Sequence, residues 1–264
     1  MNGEHDDDVD HHVVARDNPA LLIQEGDFGT LPPAWEHLEE QRSLFKRMIP
    51  SVGRLQMGVR TSVGTAFVAG LGILMTNKHV IENFAHDVNG RWKFNDGVTN
   101  VRIDFNGEHG STTTSELPVE GIIGVDGEYD LALLRIPAES TFLVKALPLQ
   151  RDAPDSIVGR ELVAIGYPER DTAVPDDVLQ RTFGNIFGVK RLQPGKITAP
   201  RNHDNVPVFS HDCSTMSGSS GSCMIDVESG NVLALHFGGG NAVNLAVPLW
   251  KLANKPFLKN LHWV

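Results

Sequence analysis

Val59-Arg60-Thr61-Ser62-Val63-Gly64-Thr65-Ala66-Phe67-Val68 runs through Gly70 and Gly72 into Ile73-Leu74-Met75-Thr76-Asn77-Lys78-His79-Val80. The first arm reads as a strand, the glycines as a turn, and the second arm as a short apolar strand with a histidine at its edge. The pattern recurs along the chain. Val101–Phe105 alternates apolar and polar residues, and Leu131–Ile136 is an apolar run bounded by Asp130 and Pro137. A Pro- and Asp-containing joint, Leu147–Ser156, separates these from a second set: Leu162–Ile165, Ile197, Val206–Phe209, Cys223–Asp226, Val232–His236 and Val243–Val247. Strands at this spacing with turn residues between them predict an all-β sandwich or barrel.

The flanks read differently. Residues 1–30 are polar and irregular, with Glu4, Asp6, Asp7, Asp8 and Asp10 in the first ten, and are expected to be a disordered acidic tail. Residues 31–50 are expected to form a helix opened by Pro32 and Pro33 and ended by Pro50, with Trp35, Leu38, Phe45, Met48 and Ile49 on one stripe. The apolar, Lys-spaced stretch Pro248–Leu261 predicts a terminal helix. The expected organisation is therefore a tail at 1–30, a helix at 31–50, one β unit at 51–150 and a second at 151–264 carrying the terminal helix.

Composition narrows the function. The 264 residues carry a formal net charge of −10 and no long basic run, which disfavours nucleic acid, a partner that needs clustered Lys and Arg. Two cysteines, Cys213 and Cys223, imply no disulfide framework, and the chain shows neither a signal-peptide pattern nor an apolar window long enough for a membrane span. A cytoplasmic protein with no membrane association is expected. His5, His11 and His12 lie in the acidic tail, but no His-Glu-x-x-His segment exists and two cysteines ten apart make no zinc site, so no metal is expected. Gly70–Gly72 and Gly238–Gly240 open no helix in a βαβ unit, so no nucleotide cofactor is expected either.

Three segments carry chemistry in the order His, Asp, Ser: His79 after its strand, Asp130 before Leu131-Ala132-Leu133-Leu134, and a serine in Asp212-Cys213-Ser214-Thr215-Met216-Ser217-Gly218-Ser219-Ser220-Gly221-Ser222. A serine hydroxyl is a weak nucleophile unless a base removes its proton as it attacks. His79 supplies that base, and Asp130 fixes its tautomer and stabilises the imidazolium. Gly218 and Gly221 let the loop fold tightly, so that the N–H groups of Gly218 and Ser220 face a developing oxyanion. Ser219 and Ser222 are rival nucleophiles on this reading alone. The order also argues against an α/β-hydrolase, whose triad runs Ser, acid, His on an alternating βα chain.

At these residues the chain resembles the trypsin-like serine peptidases, most closely the bacterial glutamyl endopeptidase branch. Thr76-Asn77-Lys78-His79-Val80, Asp130-Leu131-Ala132, and Asp212-x-Ser214-Thr215 followed by Gly218-x-Ser220-Gly221-Ser222 look like its histidine, aspartate and nucleophile motifs; Ile165-Gly166-Tyr167-Pro168 and Gly195-Lys196-Ile197 match further segments. The resemblance covers roughly residues 52–255. It implies two six-stranded antiparallel β-barrels of the chymotrypsin type with the site between them, Ser220 as the nucleophile, and peptide-bond hydrolysis through an acyl-enzyme. It places Ser214 at the floor of the specificity pocket, Thr215 and His236 on its lining, and Phe237-Gly238-Gly239 against the substrate backbone. Cleavage after Glu is the preference this implies, since a histidine with a hydroxyl neighbour can hydrogen-bond a carboxylate. Two departures stand out: Cys223 where the family has proline, and a long acidic N-terminus where the secreted enzymes use a freed amine, which points to activation by cleavage before Val52 or to a specificity built differently. A protein or peptide substrate is expected, with a regulatory domain or partner protein. The competing reading is an inert or latent barrel that acts as a protein-binding module.

Overall fold

The structure, a computed structural model, describes residues 18–139, 144–240 and 243–264. The chain opens with β1 (Leu21–Gln24) and β2 (Asp27–Phe28), a 3-10 stretch (Pro33–Gln41), α1 (Arg42–Met48) and a further 3-10 turn (Ile49–Ser51). A first β unit follows: β3 (Val52–Met57), β4 (Thr61–Gly70), β5 (Ile73–Thr76), the one-turn α2 (Lys78–Ile81), β6 (Ala85–Val88), β7 (Arg91–Phe94), β8 (Arg102–Asp104), β9 (Glu116–Pro118), β10 (Gly121–Asp126) and β11 (Leu131–Arg135). The second unit holds β12 (Glu161–Gly166), α3 (Asp176–Phe183), β13 (Arg191–His203), β14 (Val206–His211), β15 (Cys223–Asp226), β16 (Val232–Gly240) and β17 (Val243–Pro248).

The second unit is a closed barrel: β12-β15-β16-β17-β14-β13, with β13 returning to β12, every pairing antiparallel. The first is not a six-stranded barrel, which corrects the expectation. It is a seven-stranded sheet in the order β10-β11-β5-β4-β3-β8-β9, a half-barrel. β9 and β10 sit on opposite edges although only Val119 and Glu120 separate them, and those two bond back to Val101 and Arg135 instead of extending a ladder. Pro118, which has no N–H to donate, ends β9 at this point.

Alternation explains why the strands of the first sheet read as unbroken apolar runs. Ala66, Val68, Leu74, Ala132 and Leu134 face the half-barrel core with Leu55 and Ile103. Their neighbours Phe67, Met75, Leu131 and Leu133 face a second core shared with Phe45, Ile49, Ile165, Leu235, Leu258 and Leu261. Both faces are covered, so both sets of positions are apolar.

The flanking segments corrected three expectations. Residues 18–30 are not a disordered tail: β1 pairs with β13 and with β2, turning on Glu25 and Gly26, both at positive φ (54° and 70°). Residues 1–17, including His5, His11 and His12, lie outside the described residues. The helix expected over 31–50 buries its stripe as anticipated but winds as 3-10 through Gln41 before becoming α. The terminal helix is absent; Pro248–Leu261 holds only 3-10 turns at Leu249–Lys251 and Pro256–Leu258. Pro256 lacks the N–H that a continuous helix there would use.

These segments cross over. The N-terminal one staples the second barrel: His37 Nε2 lies 2.7 Å from Glu161, and Lys196 sits over the Trp35 ring. The C-terminal one staples the first sheet, where His262 N–H donates to Ala69 O (2.8 Å) and Lys255 pairs with Asp126. The division at 150 is therefore not a division of packing. Between the barrels, the fully buried Lys190 donates from Nζ to Ile49 O (3.0 Å) and Phe105 O (2.8 Å), and burial pushes its ammonium down to about 8. Among the described residues no helix is long and apolar enough to cross a membrane.

Candidate active site

Register brings the first two residues together. β5 and β11 pair antiparallel with Thr76 opposite Ala132, so the residues just after β5 lie beside those just before β11. His79 follows β5 on α2, and Asp130 precedes β11 in a turn whose N–H groups at Glu128 and Tyr129 donate to Asp126 Oδ1. Lys255 holds this turn from outside, bound to Asp126 and 4.6 Å from the Tyr129 ring centroid. Asp130 has φ 46°, a left-handed conformation that a short polar side chain tolerates.

From there Asp130 grips the histidine segment four times. Its carbonyl accepts from Lys78 N–H (3.1 Å) and Asn77 Nδ2 (3.0 Å), its Oδ1 from His79 N–H (2.9 Å), and its Oδ2 lies 2.6 Å from His79 Nδ1. A carboxylate only accepts, so this last contact assigns the proton to Nδ1 and leaves Nε2 as the basic nitrogen. The imidazole is 39% exposed, open enough to exchange protons.

The nucleophile loop is placed by a second register. β15 and β16 pair antiparallel with Cys223 opposite Leu235, so residues before Cys223 meet residues after Leu235. Gly221 N–H donates to His236 O (2.9 Å), His236 N–H to Ser222 O (3.0 Å), and Ser220 Oγ to Phe237 O (3.3 Å). Gly64 lies where the two barrels meet: a Cβ there would stand 2.9 Å from Val80, the neighbour of His79, and 3.2 Å from Ser220 O.

The loop's peptide planes are fixed one by one. Ser217 O accepts from Glu169 N–H (2.6 Å), which orients the plane carrying the Gly218 N–H. Ser219 O accepts from Ser222 N–H (2.9 Å) and Ser222 Oγ (2.6 Å), which orients the plane carrying the Ser220 N–H. Neither the Gly218 nor the Ser220 N–H has an acceptor among the described residues. Ser219 and Ser222, the rival nucleophiles, are fully buried and committed to the loop; Ser219 Oγ accepts from Met216 N–H.

Gly218 and Gly221 both require their glycines, with φ 83° and 91°. A Cβ on Gly221 would lie 1.9 Å from Thr65 O, a backbone atom of the other barrel. Gly221→Ala is expected to lose about 2–5 kcal/mol of unfolding free energy, since left-handed backbone alone costs about 1–2 kcal/mol and overpacking adds about 1–3. Urea denaturation measures it; a midpoint equal to wild type would contradict the packing described.

The expected pocket residues divide. His236 is fully buried on β16, its Nδ1 3.1 Å from His211 Nε2. Thr215 is buried with no hydrogen-bond partner for Oγ1 among the described residues. Ser214 does not offer a free hydroxyl to a pocket floor: Oγ donates to Asn18 O (2.7 Å) and its carbonyl accepts from Gln193 Nε2. Phe237 packs on His203, ring centroids 5.5 Å apart. Gly238 and Gly239 pair with β17 at Leu245 and Asn244, while β15 covers the other edge of β16 only as far as Leu235. Beyond it the Ser220 loop bonds to the same edge at His236 and Phe237, and Gly238 and Gly239 that follow are buried. Reasoning from the sequence missed Asn18, Thr65, His211 and Lys255; each acts through a long-range contact that no local pattern marks. No group of three or more metal-binding side chains gathers among the described residues.

Known proteins resemble this chain. Residues 64–235 match the trypsin-like peptidase domain. A probable serine protease from Lysobacter enzymogenes is 27% identical over 262 residues, covering 86% of this chain and 68% of its own length. The Rv3671c protease from M. tuberculosis superposes with a TM-score of 0.55 in its active form, at 20% identity over 88% of each chain. Its inactive form gives a TM-score of 0.55 at 19% identity, over 86% of this chain and 95% of that one. These structural matches speak to the fold.

Proposed function

From the premise that this chain belongs to the trypsin-like peptidase domain family and is a serine peptidase, we propose that His79, Asp130 and Ser220 are its triad and that it cleaves after glutamate. The observation that carries the triad is the pair of crossed registers, which sets the Asp130–His79 couple at 2.6 Å on one barrel and Ser220 on the other, with Gly64 packed between Val80 and Ser220 O.

In the reaction, an extended peptide lies beside β16 at Phe237-Gly238-Gly239 and presents its scissile carbonyl to Ser220. His79 Nε2 takes the hydroxyl proton as Oγ attacks. Asp130, accepting from Nδ1, holds the ring and stabilises the imidazolium. The Gly218 and Ser220 N–H groups receive the oxyanion, already oriented by Glu169 and Ser222 before substrate arrives. The protonated His79 then gives its proton to the leaving amine, and water enters by the same route to release the acyl group.

Three features support an acidic residue at the cleavage site. Thr215 Oγ1 is a buried hydroxyl without a partner among the described residues. The buried His211–His236 contact lets one imidazole set the tautomer of the other. Arg191 shares a face of β13 with Gln193, the residue bonded to Ser214; its buried guanidinium donates to the Ala20, Phe183 and Ile186 carbonyls and pairs with no carboxylate among the described residues. Burial pushes it down to about 10, so it stays cationic at neutral pH. Chromogenic peptides differing only in Glu, Gln, Lys or Phe at the cleaved position test this. Glu is expected to exceed Gln in kcat/KM by roughly ten- to a hundredfold, the equivalent of the about 1.5–3 kcal/mol that a hydrogen bond to a charged group contributes. The ratio is expected to collapse in His236→Val. Equal rates on Glu and Gln, or preference for Lys or Phe, would end the glutamate reading while leaving the triad standing.

A further inference from the structure

Thr65 makes four hydrogen bonds, three of them to the other barrel. It lies on β4 and is fully buried. Its N–H donates to Ser220 O (2.9 Å) and its Oγ1 to Gly218 O (2.8 Å), while the same oxygen accepts from Tyr167 N–H (3.1 Å). Its own carbonyl accepts from Thr76 Oγ1 (2.7 Å), at the end of the strand that leads into His79. Every polar group it has is used, and the chain Thr76–Thr65–Gly218/Ser220 joins the histidine strand to the nucleophile loop.

We infer that Thr65 is a positioning residue that sets the oxyanion donors from the opposite barrel. The inference rests on the assignment of Ser220 as nucleophile. The peptide planes at issue are Gly218–Ser219 and Ser220–Gly221, which flank the plane bearing the Ser220 N–H. In the first, the Ser219 N–H is held by Met216 O (2.9 Å) and the carbonyl by the Thr65 hydroxyl. In the second, the Gly221 N–H is held by His236 O and the carbonyl by the Thr65 N–H. The second clamp belongs to the backbone and survives mutation; the first depends on the hydroxyl.

With the hydroxyl gone, the Gly218–Ser219 plane keeps only the Ser219 N–H bond to Met216 O, and Gly218, at φ 83° and without a side chain, can take up other backbone angles. Removing the hydroxyl also takes away the partner of Gly218 O and of the buried Tyr167 N–H, so turning toward a new partner is favoured. The oxyanion N–H at Gly218 adjoins that plane and loses its aim. Because the oxyanion forms only in the transition state, the loss falls on kcat and leaves substrate affinity nearly untouched.

The test compares Thr65→Val, Thr65→Ser and Thr65→Ala with Ser220→Ala. Kinetics are normalised to active sites titrated with a fluorophosphonate, so that loss of folded protein is not counted as loss of rate. Thr65→Val is expected to lower kcat per titrated site by 30-fold or more with KM within threefold of wild type. Thr65→Ser, which restores the hydroxyl, is expected to return kcat to within threefold. Should Thr65→Val not fold, Thr65→Ala carries the same expectation. A kcat within threefold of wild type in the hydroxyl-less variant overturns the inference, and so does a Ser variant as impaired as the Val variant. An adduct on Ser220→Ala would remove the premise itself, a failure visible before any Thr65 variant is measured.

Discussion

Ser220→Ala is expected to lower kcat by about ten-thousand-fold to a million-fold, the range found when the nucleophile of such a triad is deleted. The fold should hardly notice. Ser220 is 8% exposed and its hydroxyl makes one bond, to Phe237 O at 3.3 Å, so the loss in stability is expected near about 1 kcal/mol. The loop is instead held by backbone: Gly221 to His236 O, Ser220 O to Thr65, Ser217 O to Glu169. Intact mass after fluorophosphonate treatment provides the measurement, with one adduct on wild type and none on the variant. Activity of the variant close to wild type would mean that another hydroxyl attacks and that the register argument has chosen the wrong serine.

Asp130→Asn is expected to cost about ten-thousand-fold in kcat near neutral pH while preserving the geometry. Asparagine tolerates the left-handed backbone that Asp130 adopts, and the carbonyl bonds to Lys78 and Asn77 do not involve the side chain. One side-chain oxygen remains to accept from His79 N–H. What changes is the atom 2.6 Å from Nδ1: an amide donor replaces an acceptor there. The ring answers by moving its proton to Nε2, the nitrogen that must be basic for Ser220 to lose its own. A kcat within tenfold of wild type, with the urea midpoint unchanged, would show that Asp130 acts only as a structural partner of the turn.

The Asp130–His79 pair was more legible than the frame. Thr76–Val80, Asp130–Leu134 and Gly218–Ser222 carry their geometry locally: an apolar strand ends, a turn begins, and glycine stands where only glycine fits. Evenly spaced strands marked the second unit as a sandwich or barrel, and the family resemblance implied its closure. The half-barrel did not, because whether β9 and β10 pair across a curled sheet depends on where their edges arrive, and Pro118 is a faint sign of it. Residues 18–30 were misread because five acidic residues upstream dominate the composition, although Leu21 and Ile23 flank Leu22 ahead of a Glu25-Gly26 turn. In the terminal segment Leu252, Leu258 and Leu261 are buried as a helix would bury them, yet Pro256 divides it into short turns. Ser214 shows the limit of motif reading, since its hydroxyl is taken by Asn18, 196 positions away.

The crossed staples bear on how the molecule is made. Residues 18–51 leave the ribosome first and pack on a barrel whose strands are not yet translated. The first sheet is complete in sequence by Arg135 but waits for residues 249–264 to cover one of its faces. The first half cannot finish until residues 249–264 have been made. Loop-closure entropy must be met across most of the chain before contacts reward it, which slows folding. The proposed triad, split between the halves, therefore assembles only after both staples have closed, which couples the site to the completion of the fold.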